Sequence, residues 1–250
     1  MARLFNKQAK LYLDARPTYP REWYSMLASL TTHHLLAWDV GTGNGQAALG
    51  VVEHYEQVIA TDVSEEQLKH AMPHPRIRYH HTPLSISEEE LVTLIGGENS
   101  VDLVTVAQAV HWYDLPKFYS IVTRILRKPG GIIAVWCYKS FAVSPEFDPD
   151  RDTSSVNATS SVNAMSSSVY VKCRFEGQPL ELDMPKQVSF EGFLRMLRSF
   201  SAVNTAVKQG VDLLSEKVVK ELETAWGGCE LVRTIIYKTF MLAGKVKAYY

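Results

Sequence analysis

Cysteine is scarce in this chain: Cys137, Cys173 and Cys229 are the three among 250 residues. An odd number, widely separated and without paired-ligand spacing, argues against both a disulfide framework and a structural metal. Reduced thiols and a cytoplasmic location are expected. An excess of either charge is also lacking. The formal net charge is −1 and the pI about 6.7, so no broad basic field draws nucleic acid, and a DNA or RNA substrate is disfavoured. Nowhere does the chain approach the roughly 18 consecutive apolar residues of a membrane span, and its opening, MARLFNKQAKLYLDARP, lacks the apolar centre of a secretory signal. No membrane partner is expected. The pairs His33-His34 and His80-His81 sit as neighbours that point to opposite faces of a strand, so neither pair chelates and no metal site is expected.

What is present is concentrated in Leu35 to Gly45, LLAWDVGTGNG. An apolar run, the mark of a strand buried on both faces, ends in an acid and then in glycines at every second position. Such a loop lets backbone come within contact distance of a ligand, although a tight turn without a ligand would use the same residues. A dinucleotide fingerprint would be Gly-x-Gly-x-x-Gly, with the pyrophosphate at the next helix N-terminus. Here Gly41, Gly43 and Gly45 give Gly-x-Gly-x-Gly, and Gln46 stands where the third dinucleotide glycine belongs. Asp39 would repel a pyrophosphate, but it suits a ligand with an ammonium and a sulfonium. S-adenosylmethionine has both and carries no phosphate.

The next elements agree. Gln46 to Tyr55 has helical spacing, and Gln57 to Asp62 (QVIATD) reads as a short buried strand. Asp62 ends that strand about 20 residues after the loop, where a carboxylate accepts from ribose hydroxyls. Its other reading is a helix N-cap, a task that Ser64 with Gln67 can perform as a capping box.

Asp39-Val40-Gly41-Thr42-Gly43-Asn44-Gly45, Asp62, Asp102-Leu103-Val104 and Lys128-Pro129-Gly130-Gly131 together resemble class I S-adenosylmethionine-dependent methyltransferases. Within that superfamily, Tyr12 to Pro20 (YLDARPTYP) and Gln108-Ala109-Val110-His111-Trp112 are similar to the small-molecule group that includes trans-aconitate and other carboxylic-acid methyltransferases and many plant members. The resemblance covers residues 1 to about 145 well and about 176 to 246 more loosely. It implies an α/β fold with a doubly wound, mostly parallel, seven-stranded sheet. It also implies one domain over residues 1–250: a core at about 35–140, an N-terminal cap at 1–34, and C-terminal cap helices and closing strands at 176–250. The polar stretch Asp148 to Ser168 repeats Ser-Ser-Val-Asn-Ala where relatives carry an aromatic-rich roof, and it is read as an insertion.

Alternating strands and helices support the parallel sheet. Strands are expected at Leu35 to Val40, Gln57 to Asp62, Ile77 to His81, Val101 to Ala107 and Gly131 to Tyr138. Helices are expected from Gln46, from Glu65, from Glu88 with Ser87 as N-cap, and over Leu115 to Leu126. Further on, Phe190 to Phe200 and Ser215 to Trp226 read as helices, and Leu231 to Val246 as one or two strands.

The site follows from the strand ends, because ligands of doubly wound sheets bind beyond the carboxyl ends at the switch in strand order. Asp39, Gly41, Gly43, Gly45, Asp62 and Val63 are expected to hold S-adenosylmethionine. The end of strand three at Thr82, Pro83 and Leu84 is expected at the adenine, and the resemblance places Ala107 and Gln108 at the methionine part. Tyr12 offers a ring to the sulfonium and Arg16 a guanidinium to a carboxylate of cofactor or acceptor. His111, Trp112 and Tyr113 are expected to face the acceptor, with His111 as a candidate general base against an orienting or packing role. A small-molecule acceptor, with carboxylic acids leading, is the first functional reading. The alternatives are a cofactor-binding protein without turnover, prompted by the altered 148–168 stretch, and a nicotinamide-dependent oxidoreductase, which the glycine spacing disfavours.

Overall fold

The computed structural model describes residues 18–143 and 179–245. Tyr12, Arg16 and the 148–168 stretch lie outside them. Among the described residues, seven strands form one sheet in the order β3-β2-β1-β4-β5-β7-β6. The strands are β1 (Leu36–Val40), β2 (Gln57–Asp62), β3 (Ile77–His81), β4 (Leu103–Ala107), β5 (Ile132–Val143), β6 (Leu180–Ser189) and β7 (Val232–Lys245). The first five run parallel, whereas β7 is antiparallel to both β5 and β6. The strand order reverses between β1 and β4, so the crevice of a doubly wound sheet opens at their carboxyl ends.

Helices cover both faces. On one, α1 (Arg21–Leu30) and α2 (Gln46–Val52) pack Trp23, Leu27, Ala48 and Val51 against Ala37, Val58 and Ala134. On the other, α4 (Glu88–Ile95) and α5 (Leu115–Ile125) pack Val92, Ile95, Phe118 and Val122 against Trp38, Val104 and Ile133. The short α3 (Glu65–Lys69) follows β2. Beyond β6, α6 (Phe190–Arg198), α7 (Ser201–Lys208) and α8 (Glu216–Trp226) precede β7, and a third cluster joins Phe190, Phe193 and Trp226 to Met184, Ile235 and Tyr237.

Local chemistry sets the helix starts. Ser87 accepts from the Glu90 backbone N–H while the Glu90 carboxylate accepts from Ser87 N–H, a complete capping box. Ser64 accepts from Gln67 N–H and Asp114 from Lys117 N–H. Gly50 explains itself by contact: a Cβ there would overlap the buried Tyr24 ring, so the glycine is what lets α1 lie on α2. At the opposite end of the sheet from the crevice, Asp102 binds three elements together. Its Oδ2 accepts from Leu35 N–H at 2.9 Å and Leu36 N–H at 3.0 Å, and its Oδ1 accepts from Arg127 Nε–H at 2.5 Å.

The expected elements are present, the closing segment in the single-strand form of its two readings, with three differences. β5 runs on to Val143 instead of stopping near Tyr138, because β7 pairs with it along almost its whole length. Val101 makes only an isolated bridge to Leu126, and β4 begins at Leu103. Three elements were not expected at all: α1, α7 and β6. In β6 (LELDMPKQVS) only Met184 and Val188 are buried, and a proline within it belongs to an edge strand, so its pattern is weak when read alone. β6 and β7 join the sheet of the first five strands. Among the described residues, no helix is long and apolar enough to cross a membrane.

Candidate functional site

Backbone geometry builds the site first. Gly41, Gly43 and Gly45 all have positive φ, at 64°, 57° and 87°, a region that side chains disfavour. At Gly41 space is lacking as well: a Cβ would lie 2.6 Å from Ala109 Cβ and 3.0 Å from Tyr113 Oη. The loop is tied to β2 by Thr42 N–H donating to Thr61 O at 3.0 Å and Gly43 N–H donating to Asp62 Oδ2 at 2.8 Å. The other Asp62 oxygen accepts from Ser64 N–H at 2.8 Å. Ser64 caps α3, which frees Asp62 from that task and turns it toward the loop. Burial raises the Asp62 carboxyl above its ordinary value, against the pull of these amides.

The resulting cleft is lined by Gly41, Thr42, Gly43, Asn44, Asp62 and Val63 on the β1–β2 side, with Gln67 and Leu84 beyond. On the β4 side lie Ala107, Gln108, Ala109, Trp112 and Tyr113, with Tyr19 ahead of α1. Thus Gly41, Gly43, Asp62, Val63, Ala107, Gln108, Trp112 and Tyr113 are brought together as expected positions of one site. Four others lie elsewhere. Gly45 starts α2 and packs on Tyr79. Thr82 braces Asp62 from behind, its N–H donating to Asp62 O at 2.9 Å. His111 is exposed on a short 3₁₀ turn (Val110–Trp112), its ring 4.8 Å from that of Trp112, and desolvation lowers its pKa. It is not among the lining residues.

Asp39 is the fourth. It is fully buried beneath the loop, where its oxygens accept from Thr42 Oγ1 and Thr105 Oγ1, each at 2.6 Å. Burial raises its carboxyl from 3.8 to about 6, while the two hydroxyls pull it down. The folded state therefore holds a proton more firmly than the unfolded chain across that window. Stability from this group grows as pH falls from about 6 toward 4, and its ionised form costs the fold above it. Asp39→Asn stays neutral and should flatten that part of the pH profile, gaining about 1–3 kcal/mol over the parent at pH 8 relative to pH 4.5. Urea unfolding at both pH values measures this, and equal slopes for parent and variant would reject it.

Two side-chain amides complete the cleft, Asn44 within the glycine motif and Gln108, which was expected at the methionine part. Asn44 is 1% exposed, and its Nδ2 has no acceptor among the described residues; the same holds for Gln108 Nε2. Gln108 also carries φ 59°, the left-handed region, which costs a non-glycine residue about 1 kcal/mol or more. Its N–H donates to Trp136 O at 2.9 Å. Trp136 in turn packs edge-on against Tyr19, Trp23 and Tyr24 at 5.5, 6.1 and 6.3 Å, which carries the aromatic cluster of α1 to the cleft through Tyr19. Glycine spacing draws the eye away from Asn44. The left-handed turn at Gln108 leaves no trace in composition.

These residues fit S-adenosylmethionine. Asp62 offers acceptors to ribose hydroxyls, and orphan amide donors await acceptor atoms beside a loop whose glycines take positive φ. The described lining holds no cationic side chain to pair with a pyrophosphate.

Residues 38–135 match the family described as "Methyltransferase domain". Over 256 residues, 96% of this chain and 94% of the relative, the chain is 28% identical to a Dictyostelium discoideum protein assigned by its name to the methyltransferases. It is 34% identical over 139 residues to methyltransferase cfoB of Aspergillus candidus, of which it spans 41%. A solved structure from Anaeromyxobacter dehalogenans, assigned by its name to the type II methyltransferases, superposes with a TM-score of 0.71 at 30% identity. That alignment covers 94% of this chain and 99% of the other.

Proposed function

Because this chain belongs to the S-adenosylmethionine-dependent methyltransferases, we propose that it methylates a small-molecule acceptor, and that the acceptor is a carboxylic acid. The observation that carries the second part is the make-up of the described cleft walls. Their titratable side chains are Asp62, already accepting two backbone N–H bonds, and the tyrosines Tyr19 and Tyr113. Burial pushes the Tyr113 hydroxyl up, with Asp62 and Asp39 adding to the effect, so it holds its proton at neutral pH. An acceptor that is an anion at pH 7 needs no base from such a wall, whereas a phenol or alcohol would.

The cofactor, when bound, would supply an electrophilic methyl group, which a carboxylate acceptor would take with no proton to move. The chain's part is alignment and exclusion of water, which can supply roughly 7–11 kcal/mol. Gly41 to Asn44 admit backbone to the nucleoside, Asp62 holds its ribose, and Ala107 borders its methionyl end. Tyr19, Trp112 and Tyr113 wall off the acceptor. The free thiols of Cys137 and Cys229 suit a reducing compartment such as the cytoplasm.

The test is S-adenosylhomocysteine release by the full chain with a panel of carboxylic acids, phenols and amines, the ester product being identified by mass. Esters are the expected product; methylation confined to phenols or amines would overturn the acceptor class. His111→Gln should leave turnover within about three-fold, because a ring outside the lining has no proton to move for a carboxylate. A fall of about 100-fold or more with cofactor affinity unchanged would make His111 the base.

A further inference from the structure

The two halves of the cleft differ in character. The β1–β2 half is polar, with Asn44, Asp62 and Gln67. The β4 half presents the rings of Tyr19, Trp112 and Tyr113 and the methyl groups of Ala107 and Ala109. Trp112 keeps 37% of its surface exposed, which leaves a broad apolar face at the rim. In that apolar half, Gln108 is the one side-chain amide among the described residues.

Two unfavourable features coincide at Gln108. Its backbone is left-handed, and its Nε2 is buried with no acceptor among the described residues. Its main-chain N–H is already taken by Trp136 O, so the side-chain NH₂ is the donor left over. Strain and an unmatched donor in the same residue of a cleft mark a group kept for a ligand. A carboxylate satisfies such a donor with a charge-assisted bond.

We infer that the acceptor is a monocarboxylic acid with an aryl or alkyl body, its reacting carboxylate held by the Gln108 amide and its body lying against Trp112, Tyr19 and Tyr113. The inference rests on the carboxylic-acid reading above and narrows it. A small polyacid would bring further carboxylates into this half, and the described walls offer them neither a cation nor a second amide there. Burying an unpaired carboxylate among rings is costly. Gln108 is then an acceptor-positioning residue, not a ligand of the methionyl group.

The experiment measures S-adenosylhomocysteine release by the full chain with cinnamate, octanoate, citrate and 4-ethylphenol at saturating cofactor. It includes Gln108→Gly and Gln108→Asn, both of which tolerate the left-handed backbone. Cinnamate or octanoate should exceed citrate in kcat/KM by at least about ten-fold. Gln108→Gly should lower kcat/KM for the preferred acid about 10- to 100-fold, with the cofactor Kd by calorimetry within about two-fold, and Asn should recover part of the loss. Citrate as the equal or better acceptor overturns the inference while leaving the carboxylic-acid reading intact. So does a Gly variant that loses cofactor affinity as much as turnover, since the amide then serves the cofactor. Methylation of 4-ethylphenol with no acid turned over removes the carboxylic-acid reading itself, and this inference with it.

Discussion

Asp62→Ala weakens S-adenosylmethionine binding by at least about 100-fold, because two charge-assisted acceptors for ribose hydroxyls are lost at about 1.5–3 kcal/mol each. The carboxylate also anchors Gly43 N–H at 2.8 Å, so the glycine loop loses one of its two ties to β2 at the same time and keeps the Thr42 N–H bond to Thr61 O. Asp62→Asn separates the two effects. It keeps one acceptor for the loop or the ribose and should fall between parent and alanine. Calorimetric titration of the full chain at pH 7.5 reads both, and a Kd for the alanine variant equal to the parent's would remove Asp62 from the cofactor site. Affinity should also decline as pH falls toward the raised Asp62 pKa, since the protonated carboxyl loses its charge and one acceptor lone pair.

Asp102→Ala should be strongly destabilising although it lies at a distance from the cleft. It orphans the Leu35 and Leu36 amides and strips Arg127 of its carboxylate. Removing one partner of a buried pair costs about 3–5 kcal/mol. Arg127 keeps some exposure, which sets the expectation near the lower end and lowers Tm by roughly 10 °C. Asp102→Asn, whose one carbonyl oxygen can take the place of Oδ2 and accept from both amides, loses only the Arg127 partner and should cost less. Scanning calorimetry checks this, and a change in Tm of under about 2 °C would mean that the β1–β4 edge is held by the ladder alone.

How much of this was legible from the residues varies by element. Four of the five parallel strands, β1, β2, β4 and β5, announced themselves as short apolar runs, because burial on both faces leaves no room for a polar period. The caps at Ser87 and Ser64 were readable for a related reason, since they are local chemistry, although the complete capping box forms at Ser87 and not at Ser64 with Gln67, where it was expected. β6 was not, because an edge strand with one buried face and Pro185 writes its apolar residues too far apart. The cleft divides along the same line. Gly41, Gly43 and Asp62 stand out by spacing. Asp39 was expected at the ligand, yet its position under the loop depends on Thr105, 66 residues away in sequence. The left-handed turn of Gln108 and the orphan amide of Asn44 are products of tertiary packing, and no local pattern encodes them.

The overhang of β5 beyond its parallel partners bears on how relatives of this chain can diverge. Its register with β4 ends at Trp136, while Ser140 to Val143 pair only with β7. The connection to β6 therefore leaves from a ribbon tip that lies past the last rung shared with β4. Lineages can lengthen, shorten or duplicate that connection without slipping a hydrogen bond in the parallel ladder. A tandem Ser-Ser-Val-Asn-Ala tract is the kind of innovation such a tip can absorb.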